Sequence, residues 1–264
     1  MFFLHYILPI LIFIGLGLFA GISLSIVSTV FAVPKNEKLI QVSDALPGIN
    51  CGACGYSGCD EYAKKILDGD PINLCTPGGD SVASELGKIL DREFEDVVEK
   101  VAFVRCTGSP QISDKKYEYS GTLSCAGAAA LYGGHGDCAY KCLGYGDCVS
   151  SCIFDAIHIV DNIAVIDREK CTGCISCVNE CPKGIIGMKE GASTVFIACA
   201  NRQNAKEVRK ICKQGCIACG RCVRECKSEA ITINDNLANI DYDKCTNCGK
   251  CTEVCPVKCI KLDI

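Results

Sequence analysis

From Phe2 to Val33 the chain carries no Asp, Glu, Lys or Arg. That run exceeds the ~20 apolar residues a helix needs to cross hydrocarbon, so it predicts a membrane helix over 1–33. A cleaved signal peptide is the competing expectation; it would want a basic start and a shorter apolar core. Past Val33 the pattern breaks into short pieces. Ile40–Leu46, Asp60–Leu67 and Val82–Leu90 show helical apolar spacing. Asp96–Val104 reads as helix passing into strand, and Gln111–Gly121 is polar enough for a surface loop. Twice the period changes to two. Ile157–Val160 and Ile163–Ile166 flank Asp161-Asn162, and Ile231–Ile233 and Leu237–Ile240 flank Asp235-Asn236. Apolar alternation about a two-residue turn predicts a β-hairpin in each place.

Those hairpins belong to a longer repeat. Between Cys125 and Ile260 a slide of 74 residues superimposes nine cysteines, from Cys125 on Cys199 to Cys181 on Cys255. An internal repeat names the structural unit. Each copy contains the run C-x2-C-x2-C-x3-C-P: Cys171, Cys174, Cys177, Cys181 and Pro182, then Cys245, Cys248, Cys251, Cys255 and Pro256. In two-cluster ferredoxins three closely spaced thiolates bind one [4Fe–4S] cube and the fourth crosses to the other. The proline stops the local helix, and a short helix is expected after each run.

Spacing then assigns ligands. In the second copy Cys216, Cys219, Cys222 and Cys255 form one site, and Cys226, Cys245, Cys248 and Cys251 its neighbour. In the first copy Cys152, Cys171, Cys174 and Cys177 form one. Its neighbour is irregular, because Tyr145 stands where Cys219 stands. Cys142, Cys148 and Cys181 remain there, and Cys138 is the expected fourth ligand; the alternative is a three-iron site that leaves Cys138 unused. Upstream, Cys51, Cys54, Cys59 and Cys75 surround a glycine-rich loop and form a further four-thiolate site.

Composition bears on this in three ways. The chain has 25 cysteines in 264 residues, a level that marks a cysteine scaffold. Twenty fill five [4Fe–4S] sites; Cys106, Cys125, Cys199, Cys212 and Cys259 are left over, and the default for each is a buried structural thiol. A net charge of −4 gives no reason to expect nucleic acid. Lys35 and Lys38 follow the apolar run and no Lys or Arg precedes it. The positive-inside rule therefore puts the cysteines on the cytoplasmic side of a single-pass plasma-membrane protein, a reducing compartment.

Rival chemistries fit less well. Zinc wants two separated C-x2-C pairs and competes best at Cys51–Cys75. Disulfides do not require a triplet spacing. Cys212-x3-Cys216-x2-Cys219 matches a radical SAM signature, but only 45 residues follow Cys219 (264 − 219), too few for the barrel such enzymes need. No G-x-G-x-x-G follows a strand. His5, His135 and His158 show no catalytic setting, so no substrate-converting site is expected. Gly17-x3-Gly21, with Gly15 nearby, could let another membrane helix approach closely.

The fold class expected is α+β. It comprises an anchor (1–33), a four-cysteine [4Fe–4S] domain (34–95), a connecting segment (96–135) and two ferredoxin units (136–190 and 191–264).

The text NCGACGYSGCDEYA at Asn50–Ala63, VRCTG at Val104–Gly108 and KCLGYGDC at Lys141–Cys148, with the anchor and the ferredoxin runs, resembles the B-type component of the Rnf complex over essentially the full chain. Many members carry one ferredoxin unit, whereas this chain has two. The resemblance implies a membrane-bound ferredoxin:NAD oxidoreductase that moves Na+ or H+. In it this component would take electrons from soluble ferredoxin and pass them to partner subunits in the lipid bilayer. Two other classes are a membrane-tethered redox sensor and an iron–sulfur subunit of another dehydrogenase or hydrogenase.

Overall fold

The structure, a computed structural model, describes residues 8–30 and 36–263. His5 and Lys35, and with them part of the expected anchor and its basic flank, lie outside the described residues. The chain falls into two compact units, residues 1–41 and 42–264.

In the first unit, helix α1 (Leu8–Val30) has 23 residues. At 1.5 Å per residue that is about 34 Å, enough for a hydrocarbon core of about 30 Å. Phe13 and Phe19 are 75% and 72% exposed on it. Among the described residues it is the one helix long and apolar enough to cross a membrane. Helix α2 (Glu37–Ala45) covers the predicted amphipathic stretch.

The second unit begins at Val42, within α2, and continues with α3 (Cys59–Asp68) and α4 (Gly79–Leu90). Tyr62 of α3 is buried; its hydroxyl donates to Pro71 O at 2.8 Å and accepts from Leu74 N at 3.1 Å. Arg92 donates to the carbonyls of Ile66, Gly69 and Asp70, each at 3.1 Å. A cation there satisfies the free carbonyls at the end of α3. The helical start expected at Asp96 is absent. Residues 93–99 form no helix, and Val97 N is instead held by the Asp80 carboxylate at 2.8 Å.

Strand β1 (Lys100–Val104) follows, then α5 (Cys125–Ala130) and α6 (Asp147–Ser150). The first hairpin is β2 (Ile157–Val160) and β3 (Ile163–Ile166). Next come α7 (Ser176–Glu180), β4 (Ile186–Glu190), β5 (Val195–Ile197), α8 (Ala205–Ile211) and α9 (Arg221–Glu225). The second hairpin, β6 (Ile231–Asn234) and β7 (Leu237–Ile240), precedes α10 (Lys250–Glu253) and β8 (Ile260–Leu262). Both hairpins turn on Asp-Asn pairs with positive φ, 49° and 61° in the first, 50° and 59° in the second. That geometry matches strand twist, and Asn and Asp tolerate it.

The short helix of each cubane run lies inside the run, at α7 and α10, rather than after it. Pro182 and Pro256 end the helical stretch, and the chain then enters β4 or β8. β4 pairs antiparallel with β1, Val104 opposite Ile186. β8 pairs with β5, Ile197 opposite Ile260. Each ferredoxin unit thus takes its first strand from upstream, and the segment read as a connector supplies β1 to the first.

That register revises the repeat. It makes Val104 the counterpart of Ile197, and hence Cys106 the counterpart of Cys199, 93 positions on (199 − 106). The 74-residue slide had placed Cys125 there. Cys138 still matches Cys212. The first unit therefore holds 19 extra residues between these two cysteines (32 against 13), and Cys125 lies among them.

Two cores result. One joins Ala102, Val104, Ile157, Ile163, Ile185 and Ile186 with Cys142, Cys148 and Cys177. The other joins Val195, Ile197, Ile231, Leu237 and Ile260 with Cys216, Cys222 and Cys251. Phe103 and Phe196, equivalent residues, meet at 5.3 Å between ring centroids. The buried Lys189 ammonium ion-pairs with Asp263 and donates to Ser193 O.

Candidate metal centres

Among the described residues no three His, Cys, Asp or Glu side chains converge as a single metal ion would need. Four thiolates on zinc would stand about 3.8 Å apart, given bonds of about 2.3 Å. The cysteines instead line spaces.

Cys152, Cys171, Cys174 and Cys177 line one small cavity, the grouping their spacing predicts. Ala102 N points at Cys171 Sγ from β1, at 3.4 Å. Burial pushes the Cys177 thiol up to about 12, and the adjacent Cys171, Cys174 and Cys152 add to it. Thiolates held together this closely repel one another, so a cationic iron core is what would let all four ionise.

The structure brings a different cysteine to the irregular site. Cys142, Cys148 and Cys181 line one small cavity, and the fourth thiol in its wall is Cys125. Cys138, expected there, lines a different cavity. The reason is local. Tyr145 occupies the position of Cys219 and packs edge-on against Tyr119 and His135, at 5.7 and 5.5 Å. The inserted residues fold over it as α5. Ser124 caps that helix by accepting from Gly127 N at 2.9 Å. The Asp147 carboxylate takes Cys125 N at 2.7 Å and Ala126 N at 2.9 Å. In the second unit the position of Asp147 is Arg221, where no such helix needs an anion. The Asp147 signal was present in the sequence, but only folding shows what it caps.

In the second unit, Cys222 has Cys216, Cys219 and Cys255 as charged neighbours, and burial pushes its thiol up to about 11. Cys251 has Cys245 and Cys248 beside it. Cys226 occupies the position equivalent to Cys152, with Ser228 Oγ 3.5 Å from its sulfur. Cys259, one of the leftover thiols, sits 3.7 Å from Cys255 Sγ and is buried.

Upstream, Cys51, Cys54, Cys59 and Cys75 are brought together. Burial pushes Cys75 up to about 11, and Cys59, Cys54 and Cys51 contribute. Asn50 Oδ1 holds Cys59 N at 2.8 Å, and a Cβ on Gly58 would come 2.8 Å from that same oxygen. Glycine at 58 therefore lets the loop close on Asn50.

Neighbouring sites also lie within electrostatic reach of one another. Cys51 interacts electrostatically with Cys174, and Cys148 with Cys177. Cys251 interacts likewise with Cys222. Thr76 and Lys100 approach Gly173 so closely that a Cβ there would lie 3.0 Å from Thr76 Cγ2 and 2.4 Å from Lys100 O.

Family models match three stretches of the chain. Residues 46–77 match the FeS family of Fe–S cluster segments. Residues 170–231 and 209–262 each match a 4Fe–4S dicluster domain. The first of these spans both units, because the cysteine spacing is the same in each. The chain is 42% identical over 250 residues to the B-type component of the Na(+)-translocating ferredoxin:NAD(+) oxidoreductase complex of Acetobacterium woodii, covering 94% of this chain and 75% of that one. It is 38% identical over 250 residues to the B-type component of the ion-translocating oxidoreductase complex of Methanosarcina acetivorans, covering 94% and 95%. It is 37% identical over 247 residues to the B-type component of the proton-translocating ferredoxin:NAD(+) oxidoreductase complex of Clostridium ljungdahlii, covering 92% and 86%. With paired ferredoxin units, an upstream four-cysteine domain and relatives of this likeness over nearly its whole length, the chain belongs to the family of B-type components of the ion-translocating Rnf complexes.

Proposed function

We propose that this chain relays electrons from soluble reduced ferredoxin into a membrane-bound ferredoxin:NAD oxidoreductase complex that moves Na+ or H+. The observation that carries the reading is the closeness of thiol-lined sites along the chain, with Thr76, next to Cys75, packed against Gly173, next to Cys174. Neighbouring sites lie near enough for their cysteines to feel one another's charge, as Cys51 does with Cys174.

The ligand sets are Cys51/Cys54/Cys59/Cys75, Cys152/Cys171/Cys174/Cys177, Cys125/Cys142/Cys148/Cys181, Cys216/Cys219/Cys222/Cys255 and Cys226/Cys245/Cys248/Cys251. A [4Fe–4S] cluster bound there supplies one-electron chemistry at a potential set by charge, hydrogen bonds to sulfur and exposure. The chain's own part is to fix those three factors. Ala102 N beside Cys171 Sγ favours the reduced state of that site by stabilising added negative charge. Buried Cys174 and Cys177 keep water away, whereas Cys219 and Cys248 are exposed.

That exposure makes the second unit the entry for a soluble donor. The Cys51–Cys75 site, 18 residues past Val33 (51 − 33) in the sequence, is the exit toward membrane partners. Helix α1 anchors the chain in the plasma membrane, with the cysteines on the cytoplasmic side. Replacing Cys51 by Ala tests the direction. Soluble ferredoxin should still reduce the other sites, while transfer to the membrane partners stops. Loss of reduction at every site would reverse the assignment.

A further inference from the structure

We propose that Cys106, Cys138, Cys199 and Cys212 hold a sixth [4Fe–4S] cluster at the junction of the two ferredoxin units. This rests on reading the other cysteine cavities as cubane sites. All four thiols line one small cavity, as Cys152, Cys171, Cys174 and Cys177, whose spacing alone marks a cubane site, line another. The two match in thiol number. The junction cavity is also lined by Lys141 and Asn201, and both are engaged, Lys141 donating to Ser113 O and Asn201 to Cys138 Sγ.

The arrangement is symmetric in a way stray thiols would not be. Cys106 and Cys138 come from the first unit, and Cys199 and Cys212 are their counterparts in the second. Cys106 Sγ accepts from Cys142 N at 3.4 Å and Gly108 N at 3.3 Å. Cys199 Sγ accepts from Cys216 N, the residue equivalent to Cys142, at 3.3 Å. Phe103 and Phe196 meet beside them. Equivalent residues facing each other are what a two-fold relation produces. Buried Asn201 donates its side-chain amide to Cys138 Sγ at 3.3 Å, across the junction. Amides aimed at sulfur are the means by which a protein stabilises a thiolate-bound cluster.

The position gives the site a task. Cys142 and Cys216 belong to the flanking sites of the two units, and each donates its amide to a sulfur of this one. A cluster held by these four thiols would supply one-electron chemistry between the two units, accepting an electron from the reduced site of the second unit and passing it to the first, with no bond or proton changing hands.

The test is iron and acid-labile sulfide counting on the full-length chain, purified and reconstituted without oxygen. The intact protein should hold about 24 irons, four for each of six cubes. Cys212→Ser and Cys106→Ser, on opposite units, should each lose about four irons and four sulfides. Cys138→Asp keeps an anionic ligand. It should retain the iron but alter one low-potential paramagnetic resonance signal, which guards against reading misfolding as ligand loss. An intact count of about 20 irons that neither serine variant lowers overturns the sixth site and leaves the five standing. A spectrum unmoved by Cys138→Asp, or one zinc bound in place of four irons, overturns it as well. A count well below 20, unaffected by Cys174→Ser, would instead defeat the five-site reading itself.

Discussion

Cys174 and Cys248 occupy the same place in the two ferredoxin units, yet Cys174 is buried and Cys248 is exposed. Tyr145 and Cys219 also share a place, and one is an aromatic wedge while the other is an exposed thiol. The ligand spacing of the two copies is nearly identical, so spacing does not set these differences. Neighbours do. The first unit has the Cys51–Cys75 domain packed at Gly173 and the inserted residues folded over Tyr145. The second keeps its outer cysteines in water. The same scaffold thus serves as an enclosed middle and as an open end.

The comparison can be broken at several points. The largest effect should follow Cys125→Ser. The first unit should lose its irregular cluster or keep it as a three-iron form, visible as a fall of one to four irons, roughly; Cys259→Ser, outside every ring, should spare all the sites in the first unit. Next is Asp263→Ala. It leaves the Lys189 ammonium buried beside Ser193 without its partner, a defect worth roughly 3–5 kcal/mol, to be read from denaturant melts of the reconstituted chain. Gly173→Ala comes third. Its φ is +70° and its Cβ would press on Lys100 O. The left-handed backbone alone costs about 1–2 kcal/mol, and separating the upstream domain from the first unit should slow electron arrival at Cys51–Cys75 in stopped-flow spectra. Asp147→Asn should be milder, near the ~1 kcal/mol of a lost helix cap, and should make iron at the Cys125 site easier for a chelator to remove. The smallest effect is one of order. On limited air exposure the second unit should bleach before the first, because Cys219 and Cys248 meet solvent.

Much of this was legible beforehand. The hairpins at Ile157–Ile166 and Ile231–Ile240 were, because alternation about Asp-Asn leaves one solution. The joint lining of one cavity by Cys152, Cys171, Cys174 and Cys177 follows the two-cluster ferredoxin spacing, in which a distant cysteine closes a site made by three close ones. The partner of Cys142, Cys148 and Cys181 was not legible. An ungapped slide made Cys125 a counterpart of Cys199, when the shared text lies at VAFVRC (Val101–Cys106) and TVFIAC (Thr194–Cys199). Strand pairing between residues more than 60 positions apart decided that equivalence, and local pattern is blind to it. The same blindness hid the junction cavity, whose four thiols come from four separate segments.

The pairing of β1 with β4, and of β5 with β8, bears on how this polypeptide can be taken apart. A fragment starting at the first cysteine of either ferredoxin run would leave behind the edge its sheet zips onto. Fragments meant to isolate one half should start ahead of Lys100 or Val195. Even then, Phe103 and Phe196 would each lose the ring it rests against.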